Sequence, residues 1–148
     1  MSQLLHLAGA GDLDRLEAMV ADYHAFDGIV SDEGTRRAAL EPLLEGSPHG
    51  AVWLIGPKMA PVGYIAVSFG WSIELGGMDG MVDEFWIREA VRGRGMGFEA
   101  LTALQKALRN AGVVALSLEV SATNTTAQRL YARTGFQARG FHLMTWQS

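Results

Sequence analysis

The chain has 148 residues, enough for one domain with a sizeable core, and its 49% hydrophobic and 19% charged content excludes a disordered polymer. A formal net charge of −4 argues against a dedicated nucleic-acid binder, and the absence of cysteine excludes disulfides, a thiol nucleophile, a cysteine acyl-enzyme and cysteine metal sites. No run reaches the roughly 18 apolar residues of a membrane span, and no basic-then-apolar leader opens the sequence, so one domain over residues 1–148 is expected, cytoplasmic and without membrane or nucleic-acid partners.

Residues 3–8 read as a short first strand. Asp12 is the expected N-cap of a helix whose Leu13, Leu16, Met19, Val20 and Tyr23 share one face at helical spacing. Asp27-Gly28 ends it, and Ser31-Asp32-Glu33-Gly34 caps a second helix running to Leu44. After the turn at Ser47-Pro48-His49-Gly50, residues 51–55 and 62–69 read as two strands joined by a hairpin loop over 56–61. Residues 70–80 read as a longer connection into the apolar run Met81-Val82-Asp83-Glu84-Phe85-Trp86-Ile87. A third helix opens at Gly95, aligns Phe98, Leu101, Leu104, Gln105 and Leu108, and stops at Asn110-Ala111-Gly112. Residues 113–120 form a β-rich run, and a last helix lies within 122–134. Only twelve residues follow Phe136. His6, His24, His49 and His142 show no paired ligand spacing and read as surface or core residues, so no metal is expected.

The chemistry concentrates at Arg92-Gly93-Arg94-Gly95-Met96-Gly97. A strand that turns through glycines into a helix makes an anion site, because the backbone approaches closely and the first helical N–H groups are unpaired. The anion is read as a pyrophosphate. A dinucleotide fingerprint needs G-x-G-x-x-G in an early βαβ unit, and a P-loop needs a Lys-Ser or Lys-Thr pair; neither is present.

What remains, Arg-x-x-Gly-x-Gly at Arg92, Gly95 and Gly97, resembles the acetyl-CoA pyrophosphate loop of the GNAT N-acetyltransferase superfamily. Downstream, Asn124, Ala127, Tyr131, Gly135 and Phe136 follow a strand ending in Leu118-Glu119-Val120, and are similar to a second motif of that superfamily, N-x-x-A-x-x-x-Y-x-x-x-G-F. The resemblance is dense from Asp79 to Phe136. It implies an α/β (α+β) fold: a mixed, mostly antiparallel central sheet flanked by helices, in the order β-α-α-β-β-β-α-β-α-β(β). The terminal strands would be very short, or one would be missing or supplied by a partner chain. Homodimers are common in the superfamily, and the short C-terminus invites strand sharing.

The resemblance also implies acetyl-CoA as acyl donor. Backbone N–H groups of the loop would face the pyrophosphate, with Arg92 and Arg94 adding positive charge. The strand carrying Phe85, Trp86 and Ile87 would part from its neighbour, pair with the pantetheine arm and polarise the thioester carbonyl; core packing is the alternative role of those three side chains. Asn124 would cap the last helix and reach the pantetheine arm. Tyr131, with an ordinary phenol pKa near ~10, would protonate the leaving thiolate. The base is Glu84, then Asp83, then Glu119, or a water. Adjacent strand residues face opposite sides, so one of Asp83 and Glu84 points into the cleft unless a bulge intervenes.

The acceptor would be a primary amine of a small molecule or peptide, acetylated directly in a ternary complex. Asp22, Tyr23, His24, Phe26, Asp27, Trp71 and Glu74 are the candidate recognition residues, acids beside aromatics suiting a cationic amine; solvated charges beside core aromatics are the other reading. A non-catalytic acyl-CoA sensor and a transferase of another acyl-CoA remain open alternatives at this point.

Overall fold

A computed structural model describes residues 4–148. Residue 3 of the expected first strand lies outside them. The strand is β1, Leu5–Leu7, and a single 3-10 turn, Ala10–Asp12, leads into α1, Leu13–Phe26. Asp12 stands at the expected N-cap position of α1, but its side chain makes no capping bond: Oδ2 accepts from Gly9 N (2.9 Å) and closes the preceding turn. In α2, Glu33–Leu44, Asp32 is the N-cap and accepts from Thr35 N at 2.8 Å.

Strands β2, Gly50–Ile55, β3, Gly63–Ser72, and β4, Gly77–Ile87, build a long antiparallel meander. The expected connection over 70–80 is mostly strand. The β3–β4 ladder runs out to Ser72↔Gly77, and only residues 73–76 turn. Three glycines between 76 and 80 disguise strand as loop, because they lack the side chains that signal one. After a 3-10 turn at Glu89–Val91 come α3, Met96–Asn110, β5, Ala115–Ser117, and α4, Thr125–Arg133. β5 is shorter than the apolar run over 113–120. No strand forms after α4, so the closing strand of the expected order is absent from residues 137–148.

The sheet has the order β1-β2-β3-β4-β5, with only β4 and β5 parallel. Alternation along the strands splits the core in two. Leu16, Met19, Val20, Leu40 and Leu44 of α1 and α2 pack on Val52, Leu54, Tyr64, Ala66 and Trp86. Ala100, Leu101, Leu104 and Leu108 of α3 pack on Ile55, Ile65, Val67 and Val82 across the sheet. Leu101 and Leu104 are fully buried; truncating either to alanine costs about 2–5 kcal/mol. That burial fixes the start of α3 beside the end of β4. Among the described residues no helix is long and apolar enough to cross a membrane.

Candidate active site

Two features of β4 make the site. The first is a β-bulge. Val67 pairs with Val82 but Ala66 pairs with Glu84, which leaves Asp83 as the extra residue. Val82 faces the α3 core. Without the bulge Glu84 would share that face. With it, Glu84 lies beside Ala66 on the α1–α2 face, while Asp83 is exposed.

The second feature is an open edge. Pairing of β4 with β5 ends at Met81↔Ser117. From Val82 to Ile87 that edge of β4 has no neighbouring strand among the described residues, so its peptide groups, apart from Ile87 O, which accepts from Arg92 Nε, lack a strand partner. Phe85 and Ile87 pack toward α3, and Trp86 is buried on the other face.

Beyond Ile87 the chain enters the glycine loop. Gly93 (φ 78°) and Gly95 (φ 81°) adopt left-handed conformations, and Gly95 is the N-cap of α3. No side chain caps that helix end. Among the described residues, the backbone N–H groups of Gly93, Arg94, Gly95, Met96, Gly97 and Phe98 find no acceptor in the chain. Such a row at a helix N-terminus binds anions. A Cβ on Gly97 would stand 3.1 Å from Leu130 Cδ2, so the small residue also lets α3 approach α4.

Glu84 is held by two donors. Tyr64 Oη donates to Oε1 (2.8 Å), and His24 Nε2 lies 2.6 Å from Oε2. His24 Nδ1 is 2.7 Å from Ser31 Oγ, which accepts from Arg36 Nη1 (3.1 Å). Arg36 Nε in turn donates to Glu17 Oε1 at 2.8 Å. The row ties β3, β4, α1, α2 and the α1–α2 connection into one network. A carboxylate only accepts, so the His24 proton sits on Nε2. Burial pushes the Tyr64 phenol up, and the Glu84 charge and hydrogen bond push it further, so Tyr64 remains a donor.

On the α3 side, half-buried Tyr131 presents a ring edge to Phe136 (centroids 5.9 Å apart). Burial raises its pKa. Asn124 caps α4, its Oδ1 accepting from Ala127 N at 3.1 Å. Glu119 is exposed beyond β5. Arg92 is turned away from the loop amides: its Nε donates to Ile87 O (2.7 Å), and its guanidinium rests on Trp86 and Phe26. Tyr23, His24, Phe26 and Asp27 gather near Glu84 and Trp86. Trp71 and Glu74 do not join them. Trp71 lies five residues along β3 from Ala66, about 17 Å of strand.

His24, Tyr64 and Ser31 form the shell around Glu84. Sequence reading offered His24 only as a candidate for acceptor recognition and not as a partner of Glu84, because the two are 60 positions apart. The only local signal was an imidazole on the polar flank of an amphipathic helix.

The chain matches the acetyltransferase (GNAT) family over residues 16–136 and belongs to it. Among solved structures it is similar to the integron cassette protein HFX_CASS3 from the mobile metagenome of Cole Harbour Salt Marsh, with a TM-score of 0.86 and 30% identity over 97% of this chain and 90% of that one. A solved structure from Arthrobacter sp. FB24 shares the fold, with a TM-score of 0.80 and 24% identity over 99% and 95% of the two chains. A 59-residue stretch is 44% identical to the uncharacterized N-acetyltransferase YycN of Bacillus subtilis (strain 168), spanning 40% of this chain and 38% of that relative's length.

Proposed function

We propose that the protein is an acetyl-CoA-dependent N-acetyltransferase that moves the acetyl group directly to a primary amine of a small molecule or peptide within a ternary complex. The observation that carries this reading is the open edge of β4 running into the loop of unpaired amides. One extended arm ending in a pyrophosphate fits that order, the arm along the free edge and the phosphates at the loop amides. When bound, acetyl-CoA supplies a thioester carbonyl carbon open to attack.

Loop amides from Gly93 to Phe98 bind the phosphates, and an N–H on the free edge of β4 polarises the carbonyl oxygen. Glu84 takes a proton from the acceptor ammonium, freeing the nitrogen lone pair to attack the carbonyl carbon. As the carbon–sulfur bond breaks, Tyr131 gives its phenolic proton to the departing sulfur; the second proton shed by the nitrogen restores the phenol through solvent, and Glu84 releases its own proton to water. The raised pKa of Tyr131 supports this role, since the group keeps its proton. Asp83, exposed at the bulge, brings a water to the amine. Asn124 orders the α4 N-terminus beside the pantetheine arm. The donor gives the site its group-transfer chemistry without a metal, and the chain acts in the cytoplasm, alone or as a homodimer.

The test is thermal denaturation with acetyl-CoA, succinyl-CoA and free CoA, on the wild type and Gly95→Asp, followed by thiol release with an amine panel. A ligand at a hundredfold excess over its Kd stabilises by about 2.7 kcal/mol. A shift with acetyl-CoA that Gly95→Asp abolishes, with thiol release on adding amine, supports the reading. A shift without turnover on any amine favours an acyl-CoA sensor. No shift with any ester overturns donor binding.

A further inference from the structure

Two residues past Glu84 on the same face of β4, aromatic rings hold a positive charge that belongs to the chain itself. The Arg92 guanidinium carbon lies 4.5 Å from the Trp86 ring centroid and 4.9 Å from that of Phe26. The Trp86 ring is 5.2 Å from Phe26 and 5.8 Å from Tyr23. Trp86 is only 6% exposed and its buried Nε1 has no hydrogen-bond partner. The surroundings are acidic. Tyr23 Oη donates to Asp27 Oδ2 (3.4 Å), and burial, then Asp27 and Glu84, push the Tyr23 phenol up to about 12. Rings with negative faces beside carboxylates select cations.

Arg92 holds this place loosely. Among the described residues it has no carboxylate partner, and its side chain is exposed. Its anchor is one bond to Ile87 O. It also stands directly before Gly93 and the row of unpaired amides.

We propose that Tyr23, Phe26 and Trp86 form a subsite for a positively charged group of the acceptor, and that Arg92 fills it until donor phosphates draw its side chain to the loop. The words donor and acceptor rest on the transferase reading; the cation subsite does not. Trp86 lies two positions along the strand from Glu84, about 7 Å. The acceptor is therefore a di- or polyamine, or a peptide amine with a second cation about that far from the nitrogen that is acetylated. Filling the loop empties the ring subsite, so donor binding strengthens binding of the acceptor's cation.

The test uses choline and its neutral isostere 3,3-dimethylbutan-1-ol, titrated against tryptophan fluorescence in the wild type, Arg92→Gln and Arg92→Gln/Phe26→Ala, first without any CoA. Phe26 is 56% exposed, so its truncation leaves the core intact. Arg92→Gln binds choline about tenfold tighter than the wild type, the neutral alcohol shows no such gain, and the double variant loses it. No gain in Arg92→Gln, or an equal gain for the alcohol, overturns the subsite and leaves an apolar patch. Saturating CoA brings the wild type to the affinity of Arg92→Gln. CoA that binds without doing so overturns the coupling. If CoA does not bind at all, the transferase reading fails, while the choline comparison still decides the subsite.

Discussion

His24 Nε2 on α1 and Glu84 Oε2 on β4 lie 2.6 Å apart although 60 positions separate them in the chain. Glu84 could swing about its own side-chain bonds, and this contact, with Tyr64 on the other oxygen, fixes the carboxylate plane. Orientation of that kind is worth orders of magnitude in rate. Replacing Glu84 by Gln should lower kcat by about a hundredfold to ten-thousandfold. His24→Ala should lower kcat by roughly tenfold to a hundredfold, leaving KM for the donor unchanged. His24→Gln, whose amide can still donate, should recover part of the loss. Steady-state kinetics on the three variants checks this; wild-type kcat in His24→Ala would remove the positioning role.

Tyr131→Phe keeps the ring and its edge contact with Phe136 but loses the proton. Melting should be nearly unchanged, while kcat falls by about a hundredfold or more. Burial raises the pKa of this phenol, so its ionisation should not bring activity down below pH about 10. A pH–rate profile from 6 to about 10 reads this; an alkaline limb that disappears in Tyr131→Phe at lower pH would contradict it.

Gly95→Ala tests the loop through its backbone. No atom lies within 4 Å of the Cβ it would acquire, so the penalty comes from φ 81° and not from a clash. A left-handed residue other than glycine costs about 1–2 kcal/mol, roughly 3–6 °C in Tm for a chain of this size. Calorimetry should show that modest loss together with a much smaller shift on adding acetyl-CoA.

Tyr23 should make the protein lose stability in alkali. Its folded pKa is raised from 10.0 to about 12, by burial first and then by Asp27 and Glu84. Below pH about 10 the phenol is protonated in both states, and the stabilisation is fully present. Above it the unfolded chain gives up the proton first, so stability falls as pH rises toward about 12. Tyr23→Phe should flatten urea midpoints over that window, leaving the part due to Tyr64, whose phenol is also raised.

The helices and the order of strands were legible because Leu13, Leu16, Met19 and Val20, and again Leu101, Leu104 and Leu108, repeat at helical spacing. The loop and Tyr131 were legible because their spacing is local. What escaped depends on contacts between distant residues. Whether Asp83 or Glu84 turns toward α1 is decided by a one-residue mismatch with β3, which alternation along β4 cannot reveal. His24 and Ser31 acquire meaning only when α1 lies on the sheet. Arg92 sits in a basic motif that points to phosphate, yet its guanidinium rests on two rings that follow from the tertiary fold. At the C-terminus, Phe141, Leu143, Met144 and Trp146 carry strand-like apolar side chains, but they stay exposed and build no ladder.

The parting of β4 from β5 has a consequence for the protein as a colloid. A strand edge left unpaired inside a fold is a template for any other extended chain, and cells usually blunt such edges with charge, proline or cover. From Val82 to Ile87 no strand supplies that cover among the described residues. Shelf life, yield and tendency to precipitate should therefore follow how fully that groove is filled. A preparation stripped of small molecules is the one most exposed to adhesion between molecules.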